Sequence, residues 1–89
     1  MVEKVSPALV MSVAYGDLDR ALITVVPHTT SLRGSHFEIA VPVALLKPGS
    51  FSVQNVAIYP AVRAIRKLGL LKKEQFEPVG EGLLRWLGY

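Results

Sequence analysis

Apolar and polar positions along this chain form short blocks that turn-forming residues separate. The run "ALVMSVAY", Ala8–Tyr15, lies between Pro7 and the turn-forming residues 16–19, and Arg20–Pro27 is a second apolar run of similar length. Apolar, β-branched runs of this length bounded by turn residues are typical of buried strands. The short polar linker predicts that the two strands pair antiparallel.

Two later segments show the period-two pattern of a half-buried strand. In His36–Val41, Phe37 and Ile39 alternate with polar or small neighbours. Phe51–Tyr59 alternates in the same way and is closed by Pro60. Side chains at every second position share one face of a sheet, so both segments are predicted strands.

The last third of the chain predicts helical structure. Apolar residues between 61 and 68 have helical spacing and predict a short turn that ends at Gly69. From Lys73 to Leu87 an apolar stripe opposes charged residues, which predicts an amphipathic helix. Because Pro78 lacks a backbone N–H, regular helix is expected only from about Pro78 onward.

Several short strands followed by one amphipathic helix predict an α+β domain built on a small, strongly curved antiparallel sheet. A chain of 89 residues leaves room for a single domain, residues 1–89. With 51% hydrophobic and only 19% charged residues, it is apolar for its size. We therefore expect a homodimer that buries the surplus.

The charge is mildly basic, at a formal +3 with a sequence pI of about 9.5. This suits an anionic partner such as RNA without establishing one. Five of the ten Lys and Arg residues form one cluster: Arg63, Arg66, Lys67, Lys72 and Lys73. A solvated basic turn explains this cluster as well as an RNA-binding surface does.

The chain has no Cys and two His, which excludes disulfides and thiolate metal sites, and we expect no metal or other cofactor. No apolar run approaches the ~20 residues that cross a bilayer, and the start of the chain lacks a signal-peptide layout. These features predict a soluble, cytoplasmic protein with no membrane partner.

Four segments match one known family in order and spacing. They are "SPALVMS" (6–12), "VPHTTSLRGSHFEI" (26–39), "PGSFSVQNVAIYP" (48–60) and "RKLGLLKKEQFEPVGEGLLRWLGY" (66–89). Together they resemble the MazF/PemK family of toxins from type II toxin–antitoxin systems. The resemblance implies an SH3-like antiparallel β-barrel with a C-terminal helix, the MazF/PemK/CcdB-like fold. The family's usual first strand is expected to be lacking.

The resemblance further implies a toxin that cleaves mRNA at specific sequences without metal. It also implies a homodimer whose groove binds single-stranded RNA and is silenced by a cognate antitoxin. The family's catalytic arginine, directly before the Pro of the first segment, is replaced by Ser6, whereas its catalytic threonine is present as Thr29. Losing one such charge-stabilising donor typically costs about 10²- to 10³-fold in rate, so weakened activity is expected.

The candidate catalytic residues are therefore Thr29, His28 as a proton carrier near neutral pH, and Arg33 as a phosphate-binding cation. Each has an ordinary alternative: loop capping for Thr29, a backbone hydrogen bond for His28, and a solvated loop cation for Arg33. The candidate RNA-binding residues are Ser6, Thr30, Ser31, Asn55, Arg63, Arg66 and Lys67.

Two other functions remain open. The first is a catalytically degenerate module that binds RNA or an antitoxin, which is favoured by Ser6 together with Ala57, where the family has a basic or polar residue. The second, less favoured, is a gyrase-inhibiting toxin on the same fold.

Overall fold

The computed structural model describes residues 6–89, which form a curled antiparallel sheet covered by one C-terminal helix. Two short 3₁₀ turns, Val53–Asn55 and Ala61–Arg63, interrupt the second half of the chain. The regular elements are β1 (Ala8–Val10), β2 (Leu22–Thr29), β3 (Glu38–Ile39), β4 (Ser50–Ser52), β5 (Ala57–Pro60) and α1 (Lys73–Trp86).

The long strand β2 is the centre of the sheet. Val25 pairs with Val10 of β1 on one edge and with Ala57 of β5 on the other. The end of β2 pairs with β4, which in turn pairs with β3. All of these pairings are antiparallel, as predicted for β1 and β2. The predicted α+β class with a strongly curved antiparallel sheet is confirmed.

The predicted single strand Phe51–Tyr59 is wrong, because β4 and β5 are separated by the 3₁₀ turn Val53–Asn55. Between the pairs His28↔Phe51 and Val25↔Ala57, β2 advances three residues while its partner advances six. The extra residues lie opposite Pro27. The His28 N–H donates toward β1, to the Pro7 carbonyl at 3.1 Å.

Successive N–H groups of a strand point to opposite edges. A backbone N–H at position 27 would therefore point to the edge occupied by β4 and β5, and Pro27 has none. A proline within a central strand requires such a local break in the ladder.

The first predicted strand is also shorter than expected. Beyond Val10 the ladder becomes irregular: the Met11 N–H still donates to the Thr24 carbonyl at 2.8 Å. The Thr24 N–H, however, donates to the Ser12 side-chain oxygen at 2.9 Å. Because a side chain takes the place of the strand partner, β1 ends at Val10 and residues 11–21 form a connection.

The helix α1 is longer than predicted and runs unbroken through Pro78. Its first turn is held by Gln75, whose Oε1 accepts the Lys72 N–H at 2.8 Å and whose Nε2 donates to the Pro42 carbonyl at 2.8 Å. This tether offsets the one backbone hydrogen bond that Pro78 removes. The predicted helical turn upstream is reduced to Ala61–Arg63. Within residues 6–89, no helix is long and apolar enough to cross a membrane.

The core lies between the curled sheet and α1. Phe37 adds an edge-on contact with Trp86, with ring centroids 5.3 Å apart. The helix approaches β3 closely, since a Cβ at Gly82 would lie 2.7 Å from Ile39 Cδ1. The buried apolar side chains of this core are Val26, Val41, Phe51, Val53 and Val79.

We predict that Gly49→Ala destabilises the protein strongly. A Cβ at Gly49 would collide with the backbone carbonyl of Thr29, and would lie 2.9 Å from His28 Cε1. A backbone carbonyl within a strand pair cannot easily move, so the free energy of unfolding should fall by about 2 kcal/mol or more. Urea denaturation followed by circular dichroism measures it.

Gly16→Ala is the matched control, since the Cβ there would make only an ordinary contact of 3.7 Å with Asp19. Its stability should stay within about 0.5 kcal/mol of the wild type. Equal stability of the two variants would show that Gly49 and β2 are not in close contact.

Candidate functional site

A polar cleft of about 580 Å³ lies at the C-terminal end of β2. One wall is the loop that follows β2, and the other is the end of β4 with the 3₁₀ turn. The lining includes Pro27, Thr29, Ser31, Arg33, Glu38, Ser52 and Asn55. The cleft therefore brings together four residues that the sequence predicted for the site: Thr29, Ser31, Arg33 and Asn55.

Thr29 is the last residue of β2 and begins the first wall. Its Oγ1 accepts the backbone N–H of Ser31 at 3.0 Å. The hydroxyl therefore caps the start of the loop, as one of the alternatives supposed. The hydroxyl also donates to the Ser31 carbonyl, at a longer 3.4 Å. Capping does not remove Thr29 from the cleft, because the hydroxyl oxygen keeps a second lone pair. Thr30 lies exposed beside it.

The loop itself is organised by Glu38 of β3. Both carboxylate oxygens lie 3.0 Å from the Arg33 backbone nitrogen, and Oε1 also accepts the Ser35 N–H at 2.9 Å. Hydrogen bonds from the backbone of Arg33 first, and of Ser35 second, lower the pKa of Glu38. The carboxylate is therefore ionised at neutral pH and bound to the loop backbone.

The second wall carries an oriented amide. Ser52 Oγ donates to Asn55 Oδ1 at 2.7 Å. This hydrogen bond uses the amide oxygen, so the NH₂ group is the donor that Asn55 can offer to a ligand. An acceptor on a base edge and a phosphate oxygen are both suitable partners for this NH₂ group.

His28 is not brought to this cleft. Neighbouring residues of a strand point to opposite faces, so its side chain lies on the face away from Thr29. Its ring packs edge-on against Phe51, with centroids 5.0 Å apart. Partial burial lowers the pKa of His28, which favours the neutral imidazole.

Ser6 occupies the position that the family resemblance assigns to an arginine. The His28 N–H donates to the Pro7 carbonyl, and Ala8 pairs with Pro27. Continuing this register by one residue places Ser6 opposite Thr29, and Ser6 is exposed. The position is therefore beside the threonine, but its side chain is neutral.

The basic cluster lies elsewhere. Arg63 sits 5.6 Å from the ring centre of Tyr59, whose strand pairs with the opposite end of β2. The ends of an eight-residue strand are about 23 Å apart at ~3.3 Å per residue. Arg66 and Lys67 follow Arg63 and are exposed. Within one chain these three residues do not join the cleft. No group of three or more His, Asp or Glu that could hold a metal occurs in the described part of the chain.

The fold matches solved MazF structures. The MazE–MazF complex of Deinococcus radiodurans in its form III is 24% identical, with a TM-score of 0.77 over 93% of this chain and 85% of that chain. Form I gives a TM-score of 0.78 at 24% identity over 94% and 83%. The Mycobacterium tuberculosis toxin MazF-mt6 is 26% identical, with a TM-score of 0.77 over 97% and 89%.

No protein-family model matches the sequence, and no curated protein matches it significantly. The structural matches define the class of protein as one with the fold of the MazF toxins. The resemblance to the MazF/PemK family is thereby confirmed, and this chain is MazF-like.

Glu38 and Ser52 are among the cleft residues that the sequence did not predict as site residues. The sequence does carry a signal for Glu38: an acidic residue lies shortly after the Gly34–Ser35 turn and between two apolar residues of the strand, Phe37 and Ile39. Ser52 could not be found in this way, because its role depends on the 3₁₀ turn that brings Asn55 back to it.

We predict that His28 makes stability depend on pH near neutrality. Its pKa in the folded state is lowered by burial, so the unfolded chain, with a His pKa near 6.5, binds the proton more readily. The free energy of unfolding should be highest above that pH and fall as the pH drops below it. Urea denaturation at a series of pH values measures this.

His28→Gln should lose this part of the pH dependence, whereas His36→Gln, at an exposed position, is the control for removing one imidazole. An unchanged pH profile in His28→Gln would contradict the burial of the ring against Phe51.

Proposed function

We propose that this protein is the toxin of a toxin–antitoxin pair and that it acts on single-stranded RNA in the cleft at the end of β2. The observation that carries the proposal is the convergence of Thr29, Arg33 and Asn55 in that cleft, on a fold shared with MazF toxins. The RNA would be mRNA, which places the action in the cytoplasm.

The chemistry of the cleft suits a nucleic acid strand. Arg33 offers a cation for a phosphate, Thr29 a hydroxyl, and Asn55 an amide NH₂ for a base or phosphate oxygen. No metal is needed for binding of this kind. Cleavage would require activation of a ribose 2′-hydroxyl and stabilisation of charge on the phosphate. Arg33 would stabilise the charge on the phosphate.

A specific observation favours a second candidate, an RNA- or antitoxin-binding module without catalysis. His28, the proton carrier proposed from the sequence, lies on the other face of β2, and Ser6 provides no cation. Glu38 remains the acid of the cleft, but its oxygens accept backbone hydrogen bonds from the loop. Binding depends on fewer of these groups than cleavage does.

The antitoxin partner is proposed on structural grounds as well. Both Deinococcus radiodurans structures described above are complexes of a MazF protein with MazE. We propose that a cognate antitoxin binds this chain and covers the same cleft. A net charge of +3 favours an acidic partner segment.

We predict that Thr29→Ala and Arg33→Ala each weaken RNA binding. Each removes a polar group from the cleft, so affinity for a labelled single-stranded RNA should fall about fivefold to tenfold in fluorescence anisotropy. Leu18→Ala, at a fully exposed position before the start of β2 and away from the cleft, is the control and should change affinity by less than about twofold. Wild-type protein that does not bind RNA at micromolar concentration would refute the proposed function.

Cleavage is tested separately, with a long single-stranded RNA and EDTA present. Restoring the cation with Ser6→Arg discriminates the two candidates. Cleavage by the wild type that Arg33→Ala abolishes would establish the enzyme, whereas cleavage only by Ser6→Arg would identify the natural protein as the binder.

We also propose a homodimer, because much apolar surface is exposed around β5 and the turn after it. Ile58 is 65% exposed, and it lies on the same face as Leu22, since Ile58 pairs with Thr24. Val62 and Ile65, in and just after the turn that follows β5, are 90% and 72% exposed. Exposed apolar surface of this kind usually marks an interface.

We predict that Ile58→Glu weakens the dimer, because a buried carboxylate at the interface would lack a partner. Leu45→Glu is the matched control, with the same 65% exposure on the connection between β3 and β4. Light scattering after size exclusion should show a dimer for the wild type and Leu45→Glu, and a monomer for Ile58→Glu. A monomeric wild type would contradict the proposal.

A further inference from the structure

The two walls of the cleft are tied to each other through one cross-strand pair. Glu38 of β3 pairs with Ser52 of β4. Glu38 holds the backbone of Arg33 in the first wall, while Ser52 holds the amide of Asn55 in the second. Residues directly opposite each other in an antiparallel pair share a face of the sheet. One pair of neighbours therefore sets the position of both walls.

The Glu38 carboxylate is the stronger of these two anchors. It receives N–H groups from Arg33 at 3.0 Å and from Ser35 at 2.9 Å. Hydrogen bonds to an ionised acceptor are roughly twice as strong as neutral ones. The loop between the two donors turns at Gly34, where φ is +79°, a left-handed conformation that favours glycine.

The base of the loop is fixed as well. The Phe37 N–H donates to Ser35 Oγ at 3.1 Å, and the Glu38 N–H donates to the Ser35 carbonyl at 3.1 Å. The Phe37 ring packs on Trp86 of α1. Glu38 therefore acts from a position that the sheet and the helix hold in place.

We propose that Glu38 is a positioning residue: by binding the backbone N–H groups of Arg33 and Ser35, it holds the loop 31–37 as a wall of the cleft. It thereby sets where the Arg33 guanidinium meets an RNA phosphate. The part that concerns RNA rests on the proposed function. Glu38 acts through Arg33 and does not itself contact the RNA.

The opposite role for a carboxylate in this place is a tethered competitor that occupies the site of an RNA phosphate. The hydrogen bonds that the carboxylate accepts from Arg33 and Ser35 argue against it, since withdrawal of the carboxylate would release the loop that carries Arg33. The two roles predict effects of opposite sign. Removing a positioning residue weakens RNA binding, whereas removing a competitor strengthens it.

The first test is amide hydrogen exchange in the free protein, which needs no RNA. The Arg33 and Ser35 amides should exchange at least about tenfold faster in Glu38→Gln than in the wild type, because a neutral amide oxygen accepts more weakly. Glu81→Gln, an exposed position on α1, is the matched control and should leave both rates unchanged. Equal rates in the wild type and Glu38→Gln would overturn the inference.

The second test is affinity for the labelled single-stranded RNA. Glu38→Gln should bind about tenfold more weakly, and Glu81→Gln within about twofold of the wild type. In an Arg33→Ala background, Glu38→Gln should change affinity by less than about twofold, because the two residues act as one unit. A general structural role would lower affinity equally in both backgrounds, which would contradict positioning through Arg33. Tighter binding by Glu38→Gln would contradict it too.

These tests separate the two levels of the proposal. A wild type that does not bind RNA refutes the proposed function, and the exchange rates alone then decide whether Glu38 fixes the loop. Should Glu38→Gln fail to fold, Glu38→Asp shortens the same side chain by one methylene and is judged by the same exchange rates.

Discussion

The structure depends on one strand that must pair on both edges while carrying a proline. Strand β2 binds β1 along one edge and β4 and β5 along the other. Pro27 cannot donate to the second edge, so the partner chain leaves the ladder after Phe51 and rejoins it at Ala57, with three residues more than β2 uses over the same span. The 3₁₀ turn formed by this detour carries Asn55. A constraint on one backbone N–H therefore places a polar group at the end of the sheet.

The opposite wall of the cleft is held by a different interaction: a carboxylate accepts hydrogen bonds from the backbone of the loop that precedes it. Glu38 replaces the regular hydrogen bonds that the loop 31–37 lacks, and the cross-strand neighbour Ser52 orients Asn55. The result is a cleft whose lining is fixed by hydrogen bonds within the chain. Such a preorganised polar surface suits an extended, charged ligand.

The sequence predicted the elements better than their lengths. The α+β class, the antiparallel pairing of β1 with β2 and the C-terminal helix followed from apolar periodicity. The break after Ser52 did not, because its cause is Pro27, a residue distant in sequence that becomes opposite only in the folded sheet. The continuity of α1 through Pro78 likewise depends on a contact between Gln75 and Pro42.

Contacts between residues distant in sequence also limited what could be predicted about the site. Thr29, Arg33 and Asn55 were predicted from family positions or loop chemistry, and the cleft collects them. The placement of His28 depends on the alternation of side chains along β2, which turns it toward Phe51. Arg63, Arg66 and Lys67 cluster in sequence but do not line the cleft, and Arg63 lies near the far end of β2. Spacing along the chain does not show this separation.

We propose that the cleft at the end of β2 is the RNA site. Titration of isotope-labelled protein with a single-stranded RNA, followed through the backbone amide shifts by NMR, tests this proposal. The largest shifts should fall on residues 29–38 and 52–55. Shifts confined to residues 61–73 would place the RNA on the basic cluster and contradict the account.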